Sequence, residues 1–120
     1  MVDHTMSNIN EVQELEASIQ RAKEHVEFGN VVERLLATRD FKKVISEGYF
    51  EQEAIRLVHL KADPNMQSTA QQEYIVKQMD AIGSLKQYLR TKCRIAAQAV
   101  QSIAADEETL DELLAEGGEA

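Results

Sequence analysis

Between Ser68 and Ala105 the chain has no proline and one glycine, Gly83. Apolar residues recur along this stretch at Ile75, Met79, Ile82, Leu89, Cys93, Ala96, Val100 and Ile103, in steps of four, three, seven, four, three, four and three. This heptad-like stripe predicts one long amphipathic helix. At 1.5 Å per residue it would be on the order of 55 Å long. A compact body of 120 residues is far narrower than that. The expectation is therefore an all-α fold: an elongated helical hairpin or bundle with one long helix in the C-terminal half, several shorter helices before it and a short acidic tail helix. Such a chain is expected to finish its core by homo-oligomerising.

Six aromatic side chains and no Trp leave Ile, Leu, Val, Met and Ala to build the core, which suits helix-on-helix packing. Gly and Pro total six, too few for many tight turns. The formal charge of −8 is unevenly placed. Residues 1–105 hold 14 acidic and 13 basic side chains, whereas residues 106–120 hold seven acidic and none basic. The expected organisation is a flexible N-terminus over 1–8, a helical domain over 9–105 and an acidic tail over 106–120. Cys93 is the single cysteine, so no intrachain disulfide forms and a reducing compartment is expected. Met1–Asn10 lacks the basic start and apolar run of a signal peptide, and no run approaches a membrane span. No membrane partner is expected.

A second stripe, Val12, Leu15, Ile19, Ala22 and Val26, predicts a helix from Ile9 to Phe28, with Gly29-Asn30 as its stop. Short helices are expected over Val31–Thr38, over Phe41–Glu47 after an Asp40 N-cap and before Gly48, and over Tyr49–Ala62 with Phe50, Ala54, Leu57 and Val58 on one face. Asp63-Pro64-Asn65 is the strongest break, because proline blocks helix continuation and disfavours helix at the residue before it. Ser68 or Thr69 caps the long helix. Asp106 reads as the N-cap of a separate tail helix striped by Leu110, Leu113 and Leu114.

The packing or oligomer interface is expected at Val12, Leu15, Ile19, Val26, Met79, Ile82, Leu89, Val100 and Ile103. Gly83 reads either as a tolerated surface glycine or as a point of close approach by another helix. Lys86, Arg90 and Arg94 share a helix face and, with Lys92, make residues 81–105 net +4. This strip reads as a phosphate-facing surface or as an electrostatic partner for the acidic first helix or tail. The acidity of the whole chain favours the second reading, so nucleic acid is not the expected partner. The tail leucines Leu110, Leu113 and Leu114 are candidates for docking on a partner. His4, His25 and His59 have no metal-ligand spacing, and no catalytic or phosphate-loop motif occurs. No catalytic residue, metal or cofactor is assigned, and the chain is not expected to be an enzyme.

The stretch Phe41–Leu89 carries FKKVISEGYFEQEAIRLVHLKADP and then, after a polar spacer, IVKQMDAIGSLKQYL. Through its Glu47-Gly48-Tyr49-Phe50 corner, Ala62-Asp63-Pro64 turn and Ile82-Gly83 step it resembles small α-helical proteins of tailed bacteriophages, often encoded near structural genes. The resemblance implies a phage origin, a virion or assembly role alongside other phage structural proteins, and a place in the host cytoplasm or the virion. It transfers no active site. The alternative function is a small phage regulator that binds a host protein or nucleic acid through the acidic tail or the basic strip.

Overall fold

The computed structural model describes residues 3–118, and the side chains of 8–117. His4 and Glu119 lie outside those described side chains. The described residues are all-α: α1 (Asp3–Ala37), α2 (Arg39–Phe41), a π-helix over Lys42–Glu53, α3 (Ala54–Ala62), a 3-10 turn at Pro64–Met66 and α4 (Thr69–Gly118). The long helix in the C-terminal half is present and, at 50 residues, longer than expected. Helix α1 begins inside the segment expected to be flexible. The chain divides into two compact units, Met1–Val31 with Lys92–Ala120, and Val32–Thr91.

In the first unit α1 and α4 lie antiparallel. Ser18 Oγ donates to Asp106 Oδ2 at 3.2 Å, and Lys92 Nζ stands 5.7 Å from the centroid of the Phe28 ring. Partners on α4 thus fall in number as those on α1 rise. On α1, Ile19 and Ala22 are buried, and Val12, Leu15 and Val26 are half-buried. The same three-and-four rhythm then reaches Gly29, which is also buried. Facing them on α4 are buried Ala96 and Ala99 and half-buried Ile103, Leu110 and Leu113.

Several expectations change here. Gly29-Asn30 does not stop a helix, since α1 runs through it to Ala37. A glycine stop needs a left-handed cap, and no described glycine has positive φ. Gly29 instead marks a close helix crossing: a Cβ built on it would overlap the Cβ of Ala96 and lie 3.4 Å from the Lys92 carbonyl oxygen. The close approach considered for Gly83 is absent, because a Cβ there meets nothing within 4 Å. Val100 is exposed, and its place in the seam is taken by Ala99. Asp106 does not cap a new helix. It lies inside α4, where its carboxylate accepts from Ser18 across the seam, and the acidic tail is the end of the long helix.

The second unit is built around Leu57, Ile75 and Ile82, with Tyr49, Phe50, Ala54, Leu60, Met66 and Met79 packed against them. Val32 and Leu89 are also buried, whereas Val58, expected on the core face, is 53% exposed. The cap of α2 is Thr38 rather than Asp40. Thr38 is extended, and its Oγ1 accepts from the Phe41 N–H at 3.3 Å. Asp40 sits in the first turn, where its charge suits the helix dipole. Gly48 neither ends a helix nor turns a corner, because Lys42–Glu53 is wound through it as a π-helix.

The break at Pro64 stands as expected. Asp63 Oδ1 accepts from the Asn65 N–H at 2.8 Å, and the side-chain amides of Gln67 and Gln72 both donate to the Lys61 carbonyl at 3.0 Å, satisfying a helix end that proline leaves open. Ser68 then caps α4. Its Oγ accepts from the Gln71 N–H at 3.1 Å while Gln71 Oε1 accepts from the Ser68 N–H at 3.2 Å, a reciprocal capping box.

Candidate interaction surface

The Val32–Thr91 unit carries the larger set of exposed apolar side chains. Val44 is 63% exposed, Ile55 58%, Val58 53% and Tyr74 58%, and Leu85 and Tyr88 are also uncovered. Two helical stretches side by side bury one strip of each and leave their flanks in water, so a two-layer pairing cannot enclose all of these. Over Lys42–Glu53 the π winding decides which residues share a face. Its i→i+5 pairing places residues four to five apart on one line. Val44, Gly48, Glu53 and Leu57, in steps of four, five and four, line one groove together with Ile45, Tyr49, Gln78 and Ile82. The core residues Leu57 and Ile82 form its floor, and Glu53, Gln78 and the Tyr49 hydroxyl supply its polar groups.

The electrostatics at the groove are simple. Arg56 Nε donates to Glu53 Oε1 at 3.0 Å. That hydrogen bond holds the Glu53 carboxyl below the usual glutamate range, with the guanidinium charge acting in the same direction, and it raises Arg56 in turn. Gly48 leaves the groove open: a Cβ there would meet only the Lys43 carbonyl oxygen of its own helix, at 3.3 Å.

The residues expected at an interface are distributed as follows. Ile19, Ile82 and Leu89 are buried, Val12, Leu15, Val26, Met79 and Ile103 are half-buried, and Val100 is exposed. Within the first unit, α1 packs on α4 of the same chain. The basic strip is split in use. Lys86 Nζ stands 5.8 Å from the Phe50 ring centroid, a cation–π contact. Arg90 and Arg94 are exposed, and among the described residues neither forms an ion pair. Of the tail leucines, Leu110 and Leu113 are half-buried and Leu114 is 54% exposed. Leu113 lines a second groove with Thr109, Glu11, Glu14, Leu15 and Ser18.

His25 and His59 are exposed and Cys93 is half-buried. Among the described residues no three His, Cys, Asp or Glu side chains converge on a metal position, and no helix is long and apolar enough to cross a membrane. Neither a family model, nor a curated protein, nor a solved structure matches this chain.

The α-period alone misses the groove. Val44 and Gly48 read as parts of a short helix and its stop, whereas the π winding aligns them with Glu53 and Leu57. Tyr74, Leu85 and Tyr88 did have a sequence signal. They lie beside the Ile75–Ile82–Leu89 stripe, and with Ala81 they recur in steps of seven, four and three.

Proposed function

We propose that this chain is a non-enzymatic helical interaction protein that associates with copies of itself. The observation that carries this reading is the exposed apolar side chains of the Val32–Thr91 unit, where Val44, Ile55, Val58 and Tyr74 are each more than half exposed. Large apolar side chains left in water in this number fit an interaction surface. The resemblance of residues 41–89 to small helical phage proteins supports a role in particle assembly, as a virion component or assembly factor alongside other phage structural proteins. It also supports a location in the host cytoplasm or the virion. Sedimentation velocity at micromolar concentration tests the reading. An oligomer that dissociates on dilution is expected, and a single monomeric species across the concentration range refutes it.

A second reading draws on Arg90 and Arg94, which stay exposed with no acidic partner among the described residues. A regulator that grips nucleic acid through them would bind DNA or RNA with an affinity that falls steeply with salt. Absence of binding at low salt removes this reading.

A further inference from the structure

We infer that the groove over the π-helix is a self-complementary surface: two copies cross antiparallel at Gly48, each placing Lys43 against Glu53 of the other. This rests on the self-association proposed above and names the surface that would carry it.

Three features of the groove converge on a second copy as its occupant. The first is the open space over Gly48, where no atom outside its own helix lies within 4 Å of a built Cβ. A glycine at mid-groove lets another helix backbone approach closely. The second is the lining. Val44, Ile45, Leu57, Ile82 and the ring of Tyr49 are apolar, and Val44 at the rim is 63% exposed. An apolar helix flank is therefore the matching occupant, and this unit itself presents such a flank.

The third feature is charge. A two-fold contact is self-complementary: whatever residue i meets as j, j meets as i. With the axis at Gly48, a residue five before it faces the partner's residue five after it. Those residues are Lys43 and Glu53. Lys43 is exposed and has no acidic partner among the described residues, and Glu53 lines the groove. The pairing occurs twice in the dimer, once at each end of the crossing. A helix with two acids or two bases at these places would repel its own copy. The arrangement also closes, because an isologous pair leaves neither groove open to a further copy. Two helical pairs meeting in this way form a four-helix assembly, which encloses a core that two helices cannot.

The test is sedimentation velocity on the full chain across a dilution series, for wild type, Lys43→Glu, Glu53→Lys, the double variant and an equimolar mixture of the two single variants. Helical content by circular dichroism confirms that each variant is folded. Lys43→Glu leaves both ends acidic and Glu53→Lys leaves both ends basic. Each is expected to weaken self-association by about tenfold or more, as two exposed attractions become two repulsions. The mixture is expected to associate as heterodimers near the wild-type affinity, and the double variant to self-associate near it. Gly48→Leu, which fills the groove without altering charge, is expected to weaken association with no rescue by mixing. If the wild type associates but the single variants match it, or the mixture is no tighter than its components, this surface is refuted while self-association stands. A monomeric wild type refutes both.

Discussion

Substituting alanine for glycine inside a helix ordinarily stabilises it, by about 0.8–1.0 kcal/mol, because alanine loses less backbone entropy. Gly29 lies inside α1 and Gly83 inside α4, and the sign of the effect should differ between them. At Gly83 a new Cβ meets nothing within 4 Å, so Gly83→Ala should stabilise by the full propensity gain of about 1 kcal/mol. At Gly29 the same atom would overlap the Cβ of Ala96, 3.4 Å from the Lys92 carbonyl oxygen and 3.6 Å from Ala96 Cα. No rotamer change relieves an overlap between two Cβ atoms, so the helices must separate or shift. Overpacking of this kind costs about 1–3 kcal/mol. Subtracting the propensity gain leaves Gly29→Ala between neutral and about 2 kcal/mol destabilised, and roughly 1–3 kcal/mol below Gly83→Ala. At about 4 °C per kcal/mol for a chain of this size, the two melting temperatures should differ by roughly 4–12 °C. Thermal unfolding followed by circular dichroism measures this, at one fixed protein concentration because association shifts apparent stability. Ala96→Gly in the Gly29→Ala background removes the opposing Cβ, so the double-mutant cycle should show a favourable coupling of at least about 1 kcal/mol. If Gly29→Ala raises the melting temperature as much as Gly83→Ala does, the close crossing at Ala96 is refuted.

Other substitutions probe the second unit. Leu57 has no exposed surface, so Leu57→Ala should cost about 2–5 kcal/mol in a denaturant titration, whereas Val58→Ala, at a residue 53% exposed, should stay within about 0.5 kcal/mol. An equal loss at both positions would place the core wrongly. Removing the capping hydroxyl with Ser68→Ala should cost about 1 kcal/mol and raise amide hydrogen exchange in the first turn of α4. Unchanged exchange at Gln71 would argue against the cap. Glu53 should titrate below the ordinary glutamate range by NMR and return toward it in Arg56→Gln, since the hydrogen bond from Arg56 is the main cause of the lowering. The sign follows from a folded-state value below the unfolded one: the contribution to stability is present above the unfolded-state value and is lost as the pH falls through the folded-state value. Both side chains are exposed to solvent, so the effect on global stability should be small. An unmoved Glu53 titration in the variant would refute the pairing.

How much of this was legible in the sequence differs residue by residue. Ile19, Ala22, Ile75, Ile82, Leu89 and Ala96 were readable as core positions, because a three-and-four rhythm puts them on one face of an α-helix whatever that face packs against. The Asp63-Pro64 break and the Ser68 cap were readable for the same kind of reason, since both act within a few residues of themselves. Gly29 reads locally as a helix stop, and Gly83 reads either as a surface glycine or as a close approach, of which the structure shows the surface glycine. Each is a glycine in a helical context, and only the position of Ala96, 67 residues further along, separates them. Asp106 has the local signature of an N-cap but accepts a hydrogen bond from Ser18, which no local rule could supply. The groove was hidden because the face to which Val44 and Gly48 belong depends on π rather than α winding over Lys42–Glu53.

By itself, then, the sequence determined that the described chain is helical, where the Asp63-Pro64 break falls and which stripes seek burial, because propensity, periodicity and capping are short-range. Only the tertiary structure decided that α1 runs unbroken through Gly29, that α4 runs unbroken through Asp106 and that an apolar groove lies open over Gly48. Those outcomes depend on atoms distant in sequence competing for the same space, and on a change in helical winding that composition does not encode.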